Sequence, residues 1–379
     1  MSYQKKEVSV LYLIDSLQVG GAEKSLLDFS KRFSTIKPIV VTLYDDKTDL
    51  KPFFEEEGIA LYSLNLNRAS RFWWLIGYKK FTELIKEISP DIVHAHLYKS
   101  EIIARISNRG NAKLIGAFVN DSYVNVRYKH QSFIRNLKLS FVRFFDSLTI
   151  NKCDYVTSIT RSIAVSNCRA LGFPLGRVRV IYRGRNINEF DPKVLEHNGT
   201  TIFLAVGRLL IRKGYLELIN AARLLVQNGE ENFKIRIAGA GADEEQIVNE
   251  AKDLIEIGVL EFLGTINNVS EELSNAHAFI FASHYEGQGG ALVEAMLSAK
   301  PIVASNIDVF KEQVSDEVSA KLFQVGDHQD LYENMKWVMN NYSEATLLGQ
   351  EARTVAEAKF DIEKISLLTE SFYSEVLTD

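Results

Sequence analysis

Two glutamates, Glu286 and Glu294, lie within the run His284-Tyr285-Glu286-Gly287-Gln288-Gly289-Gly290-Ala291-Leu292-Val293-Glu294-Ala295-Met296. An apolar, strand-like segment, Ala278-Phe279-Ile280-Phe281-Ala282, ends just before them, and a helix-like run from Ala291 to Ala299 follows. Glycines form the corner. The pattern puts Glu286 on the loop at a strand's C-terminal end and Glu294 about one turn into the helix. A helix N-terminus offers N–H groups without intrahelical acceptors and the positive end of a dipole, which suits a phosphate. Carboxylates accept hydrogen bonds from hydroxyls. Two of them flanking Gly287, Gly289, Gly290 and Ala291 therefore suit a sugar carried on a nucleoside diphosphate. A solvated loop followed by an acidic helix start has the same spacing, so these residues do not decide alone.

Cations are available at another strand end. Val206-Gly207-Arg208-Leu209-Leu210-Ile211-Arg212-Lys213-Gly214 follows the strand-like Thr201–Val206. Arg208 offers a bidentate guanidinium and Lys213 a compact ammonium, and together they could neutralise a departing diphosphate. A solvated charge cluster at a helix entry is the plainer reading. Gly20 and Gly21, in Asp15-Ser16-Leu17-Gln18-Val19-Gly20-Gly21-Ala22-Glu23-Lys24, allow backbone to approach a phosphate closely. They lack the Gly-x-Gly-x-x-Gly dinucleotide spacing, and a plain strand-to-helix turn fits them equally. Gly239, in Ile237-Ala238-Gly239-Ala240-Gly241, marks a further such corner.

The elements that must position these residues alternate along the chain. Strands are predicted at Val8–Ile14, Pro38–Leu43, Pro90–His94, Lys113–Val119, Asp154–Ile159 and Arg179–Tyr182, with a helix at Ala22–Phe33. After the polar Glu196-His197-Asn198-Gly199-Thr200 the alternation restarts. Strands are expected at Thr201–Val206, Phe233–Ala238, Leu260–Leu263, Ala278–Ala282, Pro301–Ala304 and Ala320–Phe323. Helices are expected at Tyr215–Asn228, Ala242–Ile257 and Glu271–Asn275, and the tail from Asp361 to Leu377 is helical in pattern. Short apolar strands alternating with helices imply parallel sheets covered on both faces. The fold class is therefore α/β, with two doubly wound, Rossmann-like domains, 1–196 and 197–360, and ligands at the carboxyl ends of the strands.

The 379 residues fit two domains, and 46% apolar with 25% charged residues is ordinary globular composition. The two cysteines, Cys153 and Cys168, have no metal-ligand spacing and read as buried apolar fillers. No secretory leader and no run of 18 apolar residues is visible. A cytoplasmic location is expected. The net charge of −5 conceals an asymmetry: residues 1–200 carry 30 Lys/Arg and 20 Asp/Glu, and residues 201–379 carry 14 and 29. Halves of +10 and −15 meet different partners.

Taken in order, these pieces resemble the family-4 retaining glycosyltransferases of GT-B fold, over nearly the whole chain. Gly20-Gly21-Ala22-Glu23 looks like the family's glycine turn, and Pro90-Asp91-Ile92-Val93-His94-Ala95-His96 like its next landmark. Val180-Ile181-Tyr182-Arg183-Gly184 with Phe190-Asp191-Pro192 resembles the end of the first domain. Val206-Gly207-Arg208 with Lys213-Gly214 is similar to the diphosphate clamp. Phe262-Leu263-Gly264, Ser283 to Glu294 and Pro301-Ile302-Val303-Ala304-Ser305 with Glu312 continue the pattern, the middle one being a glutamate-x7-glutamate signature.

The resemblance implies an acceptor-binding domain of residues 1–196, joined by the 361–379 helix, and a nucleotide-sugar-binding domain of 197–360, facing each other across a cleft. It implies that Glu286 binds the transferred sugar or its developing cation and Glu294 the ribose. Arg208 and Lys213 would hold the diphosphate, with amides near Gly290 and Ala291 and with Gly20. No metal and no further cofactor are expected, since no Asp-x-Asp pair occurs. The implied chemistry retains anomeric configuration by front-face attack. The implied acceptor is a glycan or a lipid-linked glycan, with bacterial cell-surface polysaccharide assembly as the setting. An epimerase-like enzyme of the same architecture and an inactive sugar-nucleotide-binding protein are the alternatives.

Two departures stand out. Asn120 takes the place where many relatives carry a histidine that reaches the donor sugar, and asparagine cannot carry a proton near neutral pH. Arg183 stands where asparagine is commoner. His94 and His96 read as loop histidines at the cleft rather than a metal pair. Between Asp121 and Asp146 the charges are all basic (Arg127, Lys129, Arg135, Lys138 and Arg143), interleaved with Tyr123, Tyr128, Phe133, Phe141, Phe144 and Phe145. A second such stretch runs from Arg68 through Phe72, Trp73 and Trp74 to Lys80. These fit an anionic bilayer, which would place the protein peripherally on the inner face of the plasma membrane. Aromatics packed inward beneath solvated charges fit as well. No base-stacking motif accompanies them, so nucleic acid is not an expected partner.

Overall fold

The structure, a computed structural model, describes residues 7–107, 109–123, 133–197 and 199–378. Arg127, Tyr128 and Lys129, named above, lie outside the described residues, as does Asn198. The chain forms two compact units, Met1–Gly184 with Ile362–Asp379, and Arg185–Asp361. It thus passes between them at Gly184–Arg185, earlier than the polar stretch at 196–200. The reason is hydrogen bonding. The Arg185 N–H donates to the Phe360 carbonyl at 2.7 Å, Ser270 Oγ to Glu189 O at 2.6 Å, and Lys300 Nζ to Lys193 O at 2.7 Å. Residues 185–193 therefore belong to the second unit, and polarity at 196–200 marks exposure.

In the first unit the strands are β1 (Val8–Ile14), β2 (Ile36–Thr42), β3 (Ala60–Ser63), β4 (Ile92–Ala95), β5 (Lys113–Phe118), β6 (Tyr155–Ser158) and β7 (Val178–Val180). They form one parallel sheet in the order β3-β2-β1-β4-β5-β6-β7. Its helices are α1 (Gly21–Ser30), α2 (Lys51–Glu56), α3 (Trp73–Ile88), α4 (Tyr98–Ile106), α5 (Phe133–Thr149) and α6 (Arg161–Leu171). The helices α3, α4, α5 and α6 pack side by side in that order. β1 is central, and Val10 to Ile14 are almost fully buried, as a parallel strand covered on both faces must be.

The C-terminal helix α15 (Ile362–Thr378), numbered after the helices of the second unit given below, completes the first unit against α1. Its Tyr373 hydroxyl is 2.9 Å from that of Tyr12 and 2.7 Å from His94 Nδ1, and His94 Nε2 is 3.1 Å from Thr157 Oγ1. One assignment satisfies every group: Tyr12 donates to Tyr373, which donates to Nδ1, while Nε2–H donates to Thr157, whose hydroxyl bonds Gly116 O at 3.3 Å. Glu370 adds a second tether, accepting from the N–H and hydroxyl of both Ser34 and Thr35. His94 is thus an interior strand residue, in place of the expected loop position. Burial holds its imidazole well below the usual histidine range, with His96 adding to the effect.

The second unit holds β8 (Thr201–Val206), β9 (Phe233–Ala238), β10 (Leu260–Gly264), β11 (Ala278–Phe281), β12 (Ile302–Ser305) and β13 (Lys321–Phe323), all parallel in the order β10-β9-β8-β11-β12-β13. Its helices are α7 (Tyr215–Gln227), α8 (Glu244–Glu250), α9 (Lys252–Glu256), α10 (Val269–Ser274), α11 (Gly290–Leu297), α12 (Asp308–Lys311), α13 (His328–Asn340) and α14 (Tyr342–Lys359). The single helix expected over 242–257 is two, divided at Ala251, whose N–H bonds both Ile247 O and Val248 O. Phe203, Phe233, Ile235, Ile237, Leu218 and Ile219 build the core between the sheet and α7. Strand order reverses between β8 and β11. In an open parallel sheet that reversal opens a crevice at the carboxyl ends of those two strands.

Candidate active site

Both loops that leave this switch point carry residues singled out above. After β8 come Gly207 and Arg208, then a 3-10 turn, Ile211–Lys213, which ends at Gly214 with φ +75°. A Cβ on Gly214 would stand 2.0 Å from the Ala282 carbonyl, so glycine lets the two loops touch. That contact brings Lys213 to Glu286, and the two side chains form an ion pair. Both are nearly buried, 11% and 10% exposed, so the pair is shielded from water. Ser283 Oγ donates to the same Glu286 oxygen at 2.9 Å. Burial lowers Lys213 from the usual lysine range, and Glu286 opposes that shift.

The Glu286 loop is held from several sides. Arg212 donates to the Tyr285 carbonyl at 3.2 Å and lies over the Tyr285 ring. His284 Nε2 is 2.8 Å from Glu217 Oε1. Ser305 Oγ donates to Ser283 O at 2.6 Å, and Gln313 donates to the Gln288 carbonyl. Gly289, with φ +81°, rests on the stacked rings of Phe281 and Phe310, which a Cβ would meet at 3.0 and 2.8 Å. Such support fixes a loop in one geometry, as a binding constellation requires.

At Gly290 helix α11 begins, so helix geometry leaves the amides of Gly290 and Ala291 without intrahelical acceptors. Glu294 is in the second turn, and its Oε1 accepts from Arg185 Nε at 2.8 Å. The Arg185 guanidinium crosses the helix start, and a Cβ on Gly290 would be 2.2 Å from its Nη2. A guanidinium beside the positive end of a helix is favourable only with an anion present, and here Glu294 supplies one. The sequence reading missed Arg185 and singled out its neighbour Arg183. The available signal was a second arginine in Arg183-Gly184-Arg185.

The remaining residues divide between the units. Arg208 is exposed on the loop after β8, close enough to Lys213 to bear on its charge. Gly239 follows β9 with φ +137°, and a Cβ there would lie 1.9 Å from the Gly207 carbonyl. Its glycine is thus required by backbone packing of two strand-end loops. Gly287 lies in the supported loop, partly buried. Gly20 and Gly21, the latter opening α1, belong to the first unit, where a Cβ on Gly21 would meet the Arg183 guanidinium at 2.7 Å. Asn120 is there too, exposed after β5, with its carbonyl accepting from Asn167 Nδ2 at 2.9 Å. Among the described residues, no group of three or more His, Cys, Asp or Glu side chains is gathered as a metal site would be.

A strand-end switch point with paired cations and carboxylates around a glycine-opened helix is the setting in which the comparisons with known proteins fall. The model of glycosyl transferases group 1 matches residues 186–355, and that of glycosyltransferase family 4 matches residues 19–189. The chain belongs to these glycosyltransferases. A capsular polysaccharide biosynthesis glycosyltransferase of Staphylococcus aureus, CapH, is 25% identical over 308 residues, 79% of this chain and 82% of that protein. A Campylobacter jejuni enzyme is 22% identical over 347 residues, 88% of this chain and 89% of its own. Its name describes an N-acetylgalactosaminyltransferase acting on an undecaprenol-diphosphate-linked glycan. Among solved structures, Anabaena HepE in complex with UDP and glucose superposes with a TM-score of 0.79 at 18% identity, covering 97% of this chain and all of that one. TarM does so with a TM-score of 0.79 at 16% identity, over 98% and 99%. These likenesses give the fold: two parallel-sheet α/β units of the GT-B glycosyltransferases.

Proposed function

We propose that this glycosyltransferase takes its sugar from a nucleoside-diphosphate sugar, retains the anomeric configuration and works without a metal ion. The observation that carries the reading is the Lys213–Glu286 ion pair beside a helix start whose next carboxylate, Glu294, is held by Arg185. Lysine has three N–H donors, so Lys213 can bond Glu286 and a phosphate oxygen together. Arg208 and the Gly290 and Ala291 amides supply further positive charge, enough to stabilise a departing diphosphate where a metal would otherwise serve. Glu286 then accepts hydrogen bonds from the transferred sugar and faces the positive charge that develops on it. Glu294 is set to accept from ribose hydroxyls. The leaving phosphate accepts the proton of the attacking hydroxyl, so the new glycosidic bond forms on the face from which the old one breaks. Support for a uridine nucleotide comes from HepE, whose structures are described with UDP and with UDP-glucose.

The acceptor in this reading is a glycan or lipid-linked glycan of cell-surface polysaccharide synthesis, at the inner face of the plasma membrane. CapH and the Campylobacter enzyme support it by their names. The test incubates the protein with uridine- and guanosine-diphosphate sugars and candidate acceptors, with and without EDTA, and reads product configuration by NMR. Transfer with retained configuration in EDTA is expected. Inversion, abolition by EDTA, or interconversion of the donor without acceptor would each overturn the proposal.

A further inference from the structure

The sheet of the first unit also reverses its strand order, between β1 and β4. A cavity of about 50 Å³ lies there, between α1, α15 and the carboxyl ends of the strands. Ala22, Leu26 and Phe29 of α1, with Phe118, Val119 and Ile159 at the strand ends, make its walls apolar. Most polar groups around it are bound elsewhere. Ser25 Oγ donates to Gly21 O at 2.8 Å and Thr369 Oγ1 to Ile365 O at 2.8 Å. Tyr12, Tyr373, His94 and Thr157 are taken up in the hydrogen-bonded chain described above.

His96 differs. Its Nε2 is buried with no hydrogen-bond partner among the described residues. Its ring lines the cavity and is held in place. The His96 N–H donates to Leu13 O at 2.8 Å, and the ring centroid lies 4.3 Å from that of His94 and 6.1 Å from that of Tyr12. Native proteins rarely leave such an atom unpaired. Arg183 lines the cavity as well, with its guanidinium against the start of α1. Burial, with Arg183 adding to it, lowers His96 to about 4, so near pH 7 the ring is neutral, with one N–H and one acceptor nitrogen.

We infer that this cavity receives the acetamido group of a 2-acetamido-2-deoxy sugar acceptor, hydrogen-bonded to His96 Nε2. One water needs about 10–15 Å³ of such space, so the cavity has room for about four heavy atoms, the size of an acetamido group. The methyl meets the apolar walls. The acetamido N–H donates to Nε2 in one tautomer, with Arg183 supplying donors for the carbonyl; in the other tautomer the carbonyl accepts from Nε2–H. A carboxylate or phosphate would give up its hydration to apolar walls for a single guanidinium. A hydroxyl would leave the walls unfilled, and a plain methyl would leave Nε2 unpaired. The assignment rests on the reaction proposed above, which places the donor in the second unit and leaves the strand-end crevice of the first for the attacking sugar.

The test uses the full chain and ligand-detected NMR. The probes are the methyl glycosides of 2-acetamido-2-deoxyglucose and 2-acetamido-2-deoxygalactose, each against its 2-hydroxy counterpart. The parent should bind at least one acetamido glycoside tenfold or more tighter than its counterpart. Two variants fill the cavity from opposite sides, Ala22→Leu and His96→Phe, and thermal unfolding shows which of them are folded. A folded variant should lose the tenfold preference. Equal binding of the paired glycosides by the parent, no binding of either, or a preference kept in a folded variant would overturn the inference. Uridine and guanosine diphosphate are titrated alongside. Their failure to bind the parent would overturn the donor reading, whereas loss of the acetamido preference alone overturns only the assignment of this cavity.

Discussion

Arg185 Nε lies 2.8 Å from Glu294 Oε1, with the guanidinium laid across the first turn of the helix that bears Glu294. The pair is partly buried, at 25% and 17% exposure, so solvent screens it incompletely. Arg185 is therefore a positioning residue for the carboxylate proposed to bind ribose. Replacing it with alanine should raise donor KM about tenfold, the order of one charge-assisted hydrogen bond, and leave kcat within about twofold. Arg185→Ala combined with Glu294→Ala should cost little more than Glu294→Ala alone. Additive losses would show that Arg185 acts elsewhere.

Glu286 accepts from both Lys213 and Ser283. Glu286→Ala should lower kcat by a factor of about 100 or more, since the lost interactions are those strengthened as charge develops on the sugar. Steady-state transfer assays check it. Unchanged turnover would remove Glu286 from the proposed role.

Gly239 stands with φ +137° where a Cβ would meet the Gly207 carbonyl at 1.9 Å. Gly239→Ala must strain the backbone and push the β8 and β9 loops apart, at a cost of about 1–3 kcal/mol or more. Denaturant unfolding should report that loss. A variant as stable as the parent would mean that the loops part freely.

The histidine pair sets a pH dependence in the first unit. Burial, with Arg183 adding to it, lowers His96 to about 4, and burial also depresses His94. The unfolded chain takes up these protons near 6.5, and the folded chain does not until far lower. The unfolded state thus binds more protons in between. Stability is full above about pH 6.5 and falls as pH drops towards 4, by about 1.4 kcal/mol per pH unit for each histidine. Unfolding at pH 7.5 and 5.0 should show it, and His96→Gln should flatten the slope. An unchanged slope in that variant would contradict the assignment.

Buried parallel strands were the most legible feature of the sequence. Val8–Ile14, Thr201–Val206 and Phe233–Ala238 have the bounds expected of them: the first two read as nearly continuous apolar runs, as strands covered on both faces do, and the third as apolar residues alternating with Lys234 and Arg236. Edge strand β3 was not expected, since its residues are mostly exposed and carry no such run. Glu286, Glu294, Arg208 and Lys213 were visible as candidates by type and by position after strands. Their pairing was not, because Lys213–Glu286 and Arg185–Glu294 are long-range contacts made by folded loops. The tethering of α15 through Tyr373 and His94 was hidden for the same reason: the two are 279 positions apart.

The central claim is that Lys213 and the start of α11 grip a diphosphate. Calorimetric binding of uridine or guanosine diphosphate, compared with the matching nucleoside, tests it in the parent and in Lys213→Gln. The account predicts that the diphosphate binds the parent far more tightly than the nucleoside, and that the variant loses about 10- to 100-fold for the diphosphate alone. Equal diphosphate binding by parent and variant, or no diphosphate binding by the parent, would contradict it.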